Sequence, residues 1–123
     1  MGVEISVTDD TLTLTISGLD ALVGLARTVQ VRIADITGVV VMSQQEARAD
    51  LGWRVGGGYF PGVLATGWFT VPGRKGLRQW WMSYRDPEVL VVDTNVDRPA
   101  RIVVQTPDRE RILEEIRRRI PPA

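Results

Sequence analysis

The stretch VEISVTDDTLTLTIS, Val3–Ser17, alternates apolar and polar residues twice around Asp9-Asp10. Leu12, Leu14 and Ile16 share one face with threonines opposite, which predicts a β-hairpin with a short acidic turn. The spacing then changes. Leu19, Leu22, Val23 and Ala26 fall at helical intervals behind Ser17, a residue able to cap, so SGLDALVGLA predicts a short helix. Thr28–Ser43 reads as a strand, a step at Ala34-Asp35 and a second strand. Periodicity is lost across Gln44–Gly62, where glycines and a proline predict a long loop with one helical turn at its start. Strands return at Val63–Val71, Leu77–Tyr84, Glu88–Asp93 and Ala100–Thr106, separated by the turns PGRKG, RDP and TNVDRP. The pattern ends on Ile112, Leu113, Ile116 and Ile120, one apolar stripe of a helix over Pro107–Ile120 with Thr106 as cap.

Composition narrows the chemistry. The chain has 123 residues, the size of one domain with one core. Fifteen basic residues balance fifteen acidic ones, so no general attraction to nucleic acid is expected. Cysteine and histidine are both absent. That removes disulfides, thiol chemistry, zinc–thiolate sites and the commonest general base. No metal site and no cofactor is predicted. The chain opens directly into a strand pattern with no apolar leader, and no apolar run approaches the ~20 residues a membrane-spanning helix needs. A cytoplasmic location is expected.

Three segments carry a resemblance. SGLDALVGLARTVQVRIADITGVVV matches a short helix, a strand and an I-x-x-V step. GGGYFPGVLATGWFTVPGRKGLRQWW matches a Gly/Pro loop, a G-x-F strand and a hairpin ending in an aromatic. VLVVDT and ARIVVQTPDRERILEEI match two late strands and the start of a closing helix. Together they span nearly the whole chain and resemble the bacterial PH-domain families. The resemblance implies one domain over residues 1–123. Its fold would be mainly β, a small antiparallel barrel or sandwich of about seven strands closed by a C-terminal helix. Eukaryotic PH domains that bind phosphoinositides carry clustered Lys/Arg in and beyond the first hairpin turn. Here that turn is Thr8-Asp9-Asp10, so the family's lipid function is not carried over.

GWFTVPGRKGLRQWWMSYR, Gly67–Arg85, holds three of the four tryptophans and no acidic residue. Taking the more apolar face of each strand as inward places Ala65, Gly67 and Phe69 inside, with Trp68 outside. The same rule puts Trp80, Met82 and Tyr84 inside, with Gln79, Trp81 and Ser83 outside. Trp68 and Trp81 then form an outer partner-binding face, since tryptophan is a common interface anchor. A stabilising cross-strand pair covered by a loop is the competing reading. Arg74, Lys75, Arg78 and Arg85 make a basic hairpin tip, a candidate contact for an anion such as membrane lipid or simply a solvated tip that blocks edge pairing.

Gly56–Gly58 lacks the residues and the helix that a phosphate-binding loop needs. Asp35, Asp50, Asp86, Asp93 and Asp97 match no metal-ligand or catalytic spacing. The sequence therefore reads as a non-catalytic domain making protein–protein contacts or self-associating. Peripheral binding of anionic lipid is the first alternative, and a carboxylate-only enzyme the second.

Overall fold

The computed structural model describes residues 3–18, 27–60, 64–84 and 87–120. It contains nine strands: β1 (Val3–Val7), β2 (Thr11–Ile16), β3 (Thr28–Arg32), β4 (Ile36–Ser43), β5 (Arg54–Phe60), β6 (Leu64–Val71), β7 (Arg74–Ser83), β8 (Glu88–Thr94) and β9 (Arg101–Val104). Among the described residues two helices accompany them, α1 (Gln44–Arg48) and α2 (Arg109–Arg117), and a 3-10 turn at Ile33–Asp35 forms the expected step. The short helix expected around residues 19–26 lies outside the described residues.

The strands form a three-stranded sheet, β1-β2-β3, and a six-stranded sheet, β4-β8-β9-β7-β6-β5. The small sheet keeps a strict alternation. Leu12, Leu14, Ile16, Val29 and Val31 point into the core while their neighbours face solvent. The first hairpin turns at Asp9-Asp10 as expected, with Val7 opposite Leu12.

The large sheet differs. Residues 79–83 of β7 and 89–92 of β8 are consecutively buried, so both faces of its centre are covered. One face, with Trp80, Met82, Leu90, Val92, Ile102 and Val104, packs against the small sheet and the stripe Ile112, Leu113 and Ile116 of α2. The opposite face carries a second core of Ala47, Ala65, Phe69, Trp81, Val89, Val91 and Val103.

This architecture corrects the antiparallel barrel of about seven strands. The sheet is mixed, because β9 lies parallel to β7 and antiparallel to β8. The barrel is not closed, because among the described residues β3 pairs only with β2 and β5 only with β6. Instead α2 packs on β1, β4 and β8, and so covers one of the two seams between the sheets. Its start is tied down by Thr106, whose Oγ1 accepts from the Asp108 amide at 3.2 Å. The Arg111 guanidinium bridges Asp108 and Glu115 along the exposed side of the same helix.

The irregular segment Gln44–Gly62 is also corrected in part. Its start is the expected helical turn. Ser43 Oγ accepts from the Glu46 amide at 3.1 Å and donates to the Glu46 carboxylate at 3.0 Å, a reciprocal cap. The remainder is not loop throughout, because β5 pairs along β6 with Gly56, Gly57 and Gly58 opposite Trp68, Gly67 and Thr66.

Candidate interaction surface

Between α1 and β5 the chain crosses the second core as a short strap, and three contacts fix it. Gln79, only 1% exposed, donates from Nε2 to the carbonyl oxygens of Asp50, at 2.8 Å, and Thr70, at 2.9 Å. Its Oε1 accepts the Trp81 indole N–H at 2.8 Å. Every polar atom of this buried amide is therefore engaged. Leu51 packs against the second core. Gly52 then meets Thr70 so closely that an added Cβ would overlap the Thr70 carbonyl and hydroxyl oxygens.

That approach sets up the next residue. The Trp53 amide donates to Thr70 Oγ1 at 2.8 Å, and the Thr70 amide donates back to the Trp53 carbonyl at 2.9 Å. The Trp53 backbone is thus pinned to β6, yet its side chain is 85% exposed. Val55, two residues on at the sheet edge, is 54% exposed. Trp53 shares a shallow depression with Pro72 and Gly73. Those two residues turn the β6–β7 hairpin between the paired Val71 and Arg74. Gly73 has φ 73°, a conformation that favours glycine.

The tryptophan face expected from alternation is not formed. Trp81 is 0% exposed and belongs to the second core, edge-on to Phe69 with ring centroids 6.3 Å apart. Polar Gln79 and Ser83 suggested a solvated face, but both are buried, Gln79 beneath the strap. Trp68 is half-buried against the main core and sits opposite Trp80, not Trp81. Trp68 and Trp81 therefore lie on opposite faces of the sheet.

The basic tip is also divided. Arg74 and Lys75 are exposed at the turn, and Arg78 is half-buried with Nη1 donating to the Leu77 carbonyl at 2.9 Å. Arg85 lies outside the described residues. Arg78 joins Trp68 and Arg98 in lining an open cleft of about 540 Å3. Among the described residues, none of Arg74, Lys75, Arg78 and Arg98 has an ion-pair partner.

Of the five aspartates weighed from the sequence, Asp86 lies outside the described residues, and Asp35, Asp50 and Asp93 form ion pairs. Arg101 Nε meets Asp93 at 2.6 Å, and its Nη1 meets Asp50 at 3.3 Å, which joins the strap to β8 and β9. Asp35 pairs with Arg32 at 3.6 Å. No cluster of three or more metal-ligating side chains occurs among the described residues, and no helix among them is long and apolar enough to cross a membrane.

Trp53 was the residue sequence reasoning passed over. It stands in an aperiodic stretch, where alternation assigns no face. The signal was the Gly-Trp pair, a glycine allowing close approach beside a large side chain. No family model, curated protein or solved structure matches this chain.

Proposed function

We propose that this chain is a non-catalytic interaction domain acting through protein contacts, with Trp53 and the β5 edge as its contact surface. One observation carries the reading: an 85% exposed tryptophan on a backbone fixed by two hydrogen bonds. A ring presented from an ordered backbone loses little further entropy on binding and offers a large apolar area. Val55, also exposed, lies on a strand that among the described residues pairs on one side only. Such an edge is a template for pairing with another chain. The pleckstrin-homology resemblance supports a binding module over an enzyme, although the open seam and parallel β7–β9 pair depart from the barrel it implies.

Self-association through this edge is the form to test. Sedimentation should give a weight-average mass that rises with concentration, and Trp53→Ala with Val55→Lys should return it to the monomer value. A mass independent of concentration in the parent protein sinks this form of the reading.

A second reading has its own support. Trp53 lies beside the turn that leads into exposed Arg74 and Lys75. Aromatic rings favour the lipid headgroup region, and each basic residue near an anionic surface adds ~1 kcal/mol. This reading predicts flotation with phosphatidylserine vesicles at low salt and release at physiological salt. Neutral phosphatidylcholine vesicles should not bind, and Arg74→Ala/Lys75→Ala should abolish flotation. Equal flotation of that variant removes the lipid reading.

A further inference from the structure

The two seams between the sheets are not alike. The one beside β1 and β4 is filled by α2. The other, between β3 and β5, holds the cleft of about 540 Å3. Successive side chains of a strand point to opposite faces of its sheet. Thr28, Val29 and Gln30 are consecutive, and all three line this cleft, as do the consecutive Val55 and Gly56. A cavity lined by neighbours of both orientations lies along the edge of a strand, where its free backbone N–H and C=O groups are. Among the described residues, neither β3 nor β5 has a second strand partner.

We infer that this cleft accepts an extended, acidic peptide segment of a partner protein, added as a strand along Thr28–Gln30. The inference rests on the reading of the chain as a protein-interaction domain; its cleft shares Val55 with the surface proposed above but uses β3 and not Trp53. Backbone pairing supplies sequence-independent attraction, and side chains set selectivity. Here the selectivity is electrostatic. Arg78 and Arg98 line the cleft, no acidic residue does among the described residues, and neither arginine has an ion-pair partner there. Trp68, half-buried on the same lining, gives an apolar side chain of the segment a surface to cover.

The experiment starts from a random nonapeptide library displayed on phage and panned against the whole chain. Enrichment of Asp/Glu alternating with β-branched or aromatic residues is expected. A synthetic peptide of the enriched sequence should shift the amide resonances of Thr28–Gln30 and bind at least tenfold more weakly to Arg78→Gln/Arg98→Gln. N-methylation at alternate positions, which removes backbone donors and keeps the charge, should abolish binding. No enrichment, enrichment of basic or proline-rich peptides, or unchanged binding after N-methylation overturns the inference. So does a dimer mass that appears together with shifts at Thr28–Gln30 in the absence of peptide, since the occupant is then a second copy. Trp53→Ala separates the two proposals. It should lower self-association and leave peptide affinity unchanged.

Discussion

Replacing Gln79 by leucine tests whether the strap is held as described. The side chain keeps a similar size, so the change isolates hydrogen bonding. Three bonds are lost, to the carbonyl groups of Asp50 and Thr70 and from the Trp81 indole. At about 1 kcal/mol net each, their loss costs roughly 3 kcal/mol. The indole N–H, on a residue 0% exposed, is left without an acceptor, which puts the cost at the upper end of a ~3–5 kcal/mol range. Unfolding entropy of about 2.1 cal/mol/K per residue over 123 residues gives roughly 0.26 kcal/mol/K. The expected fall in Tm is therefore about 12 °C or more.

Thermal and urea unfolding followed by circular dichroism supply the global number. Hydrogen exchange of the Trp53 amide supplies the local one, because that amide lies in the same strap and is bonded to Thr70 of β6. Trp81→Phe removes the indole donor from the other side. The double-mutant cycle between positions 79 and 81 should then show coupling of at least ~0.5 kcal/mol. Gln79→Leu within ~0.5 kcal/mol of the parent, the range of ordinary surface substitutions, refutes the account of a buried, fully bonded amide.

Further outcomes are expected. Gly52→Ala should destabilise by about 1–3 kcal/mol by forcing the strap away from Thr70, and should also reduce self-association in sedimentation. Ile116→Ala, at a fully buried position of α2, should cost about 2–5 kcal/mol in chemical denaturation. Gly73→Val should cost about 1–2 kcal/mol, because a β-branched residue must take a left-handed φ there. If its stability equals the parent's, the hairpin turn does not hold that φ in solution.

Particular residues show why some of this was readable and some was not. β1, β2 and β3 alternate because one face is solvated, so Leu12, Leu14 and Val29 announce their side. The stripe of α2 was equally legible. β7 obeyed a different constraint. With both faces covered, polarity no longer reports direction, and Gln79 marks a buried node, not a wet surface. The unbroken apolar run Val89–Val92 in β8 was the available hint that this sheet is covered twice. β5 had no pattern to read, since glycines opposite β6 carry no side chains and its strand character comes from the partner. Trp68, Arg78 and Arg98 come together through the pairing of β6 with β7 and the backbone bonds of Asp97 and Ala100 to Arg78, contacts that no local window contains.

The place of β9 has a consequence for how the molecule assembles during synthesis. Of the described strands this one is made last, yet it occupies the middle of the six-stranded sheet between β7 and β8. Until residues 101–104 emerge, the nascent chain can hold of the large sheet only the β4–β8 ladder and the β5-β6-β7 meander, two fragments with a vacant slot between them. Four residues weld the fragments, and the buried Ile102, Val103 and Val104 serve the cores on both faces at once. Translation therefore runs nearly to the end of the described chain before either core is complete. A force profile recorded on stalled nascent chains should show one late rise, once β9 has cleared the exit tunnel, and none after β7 alone.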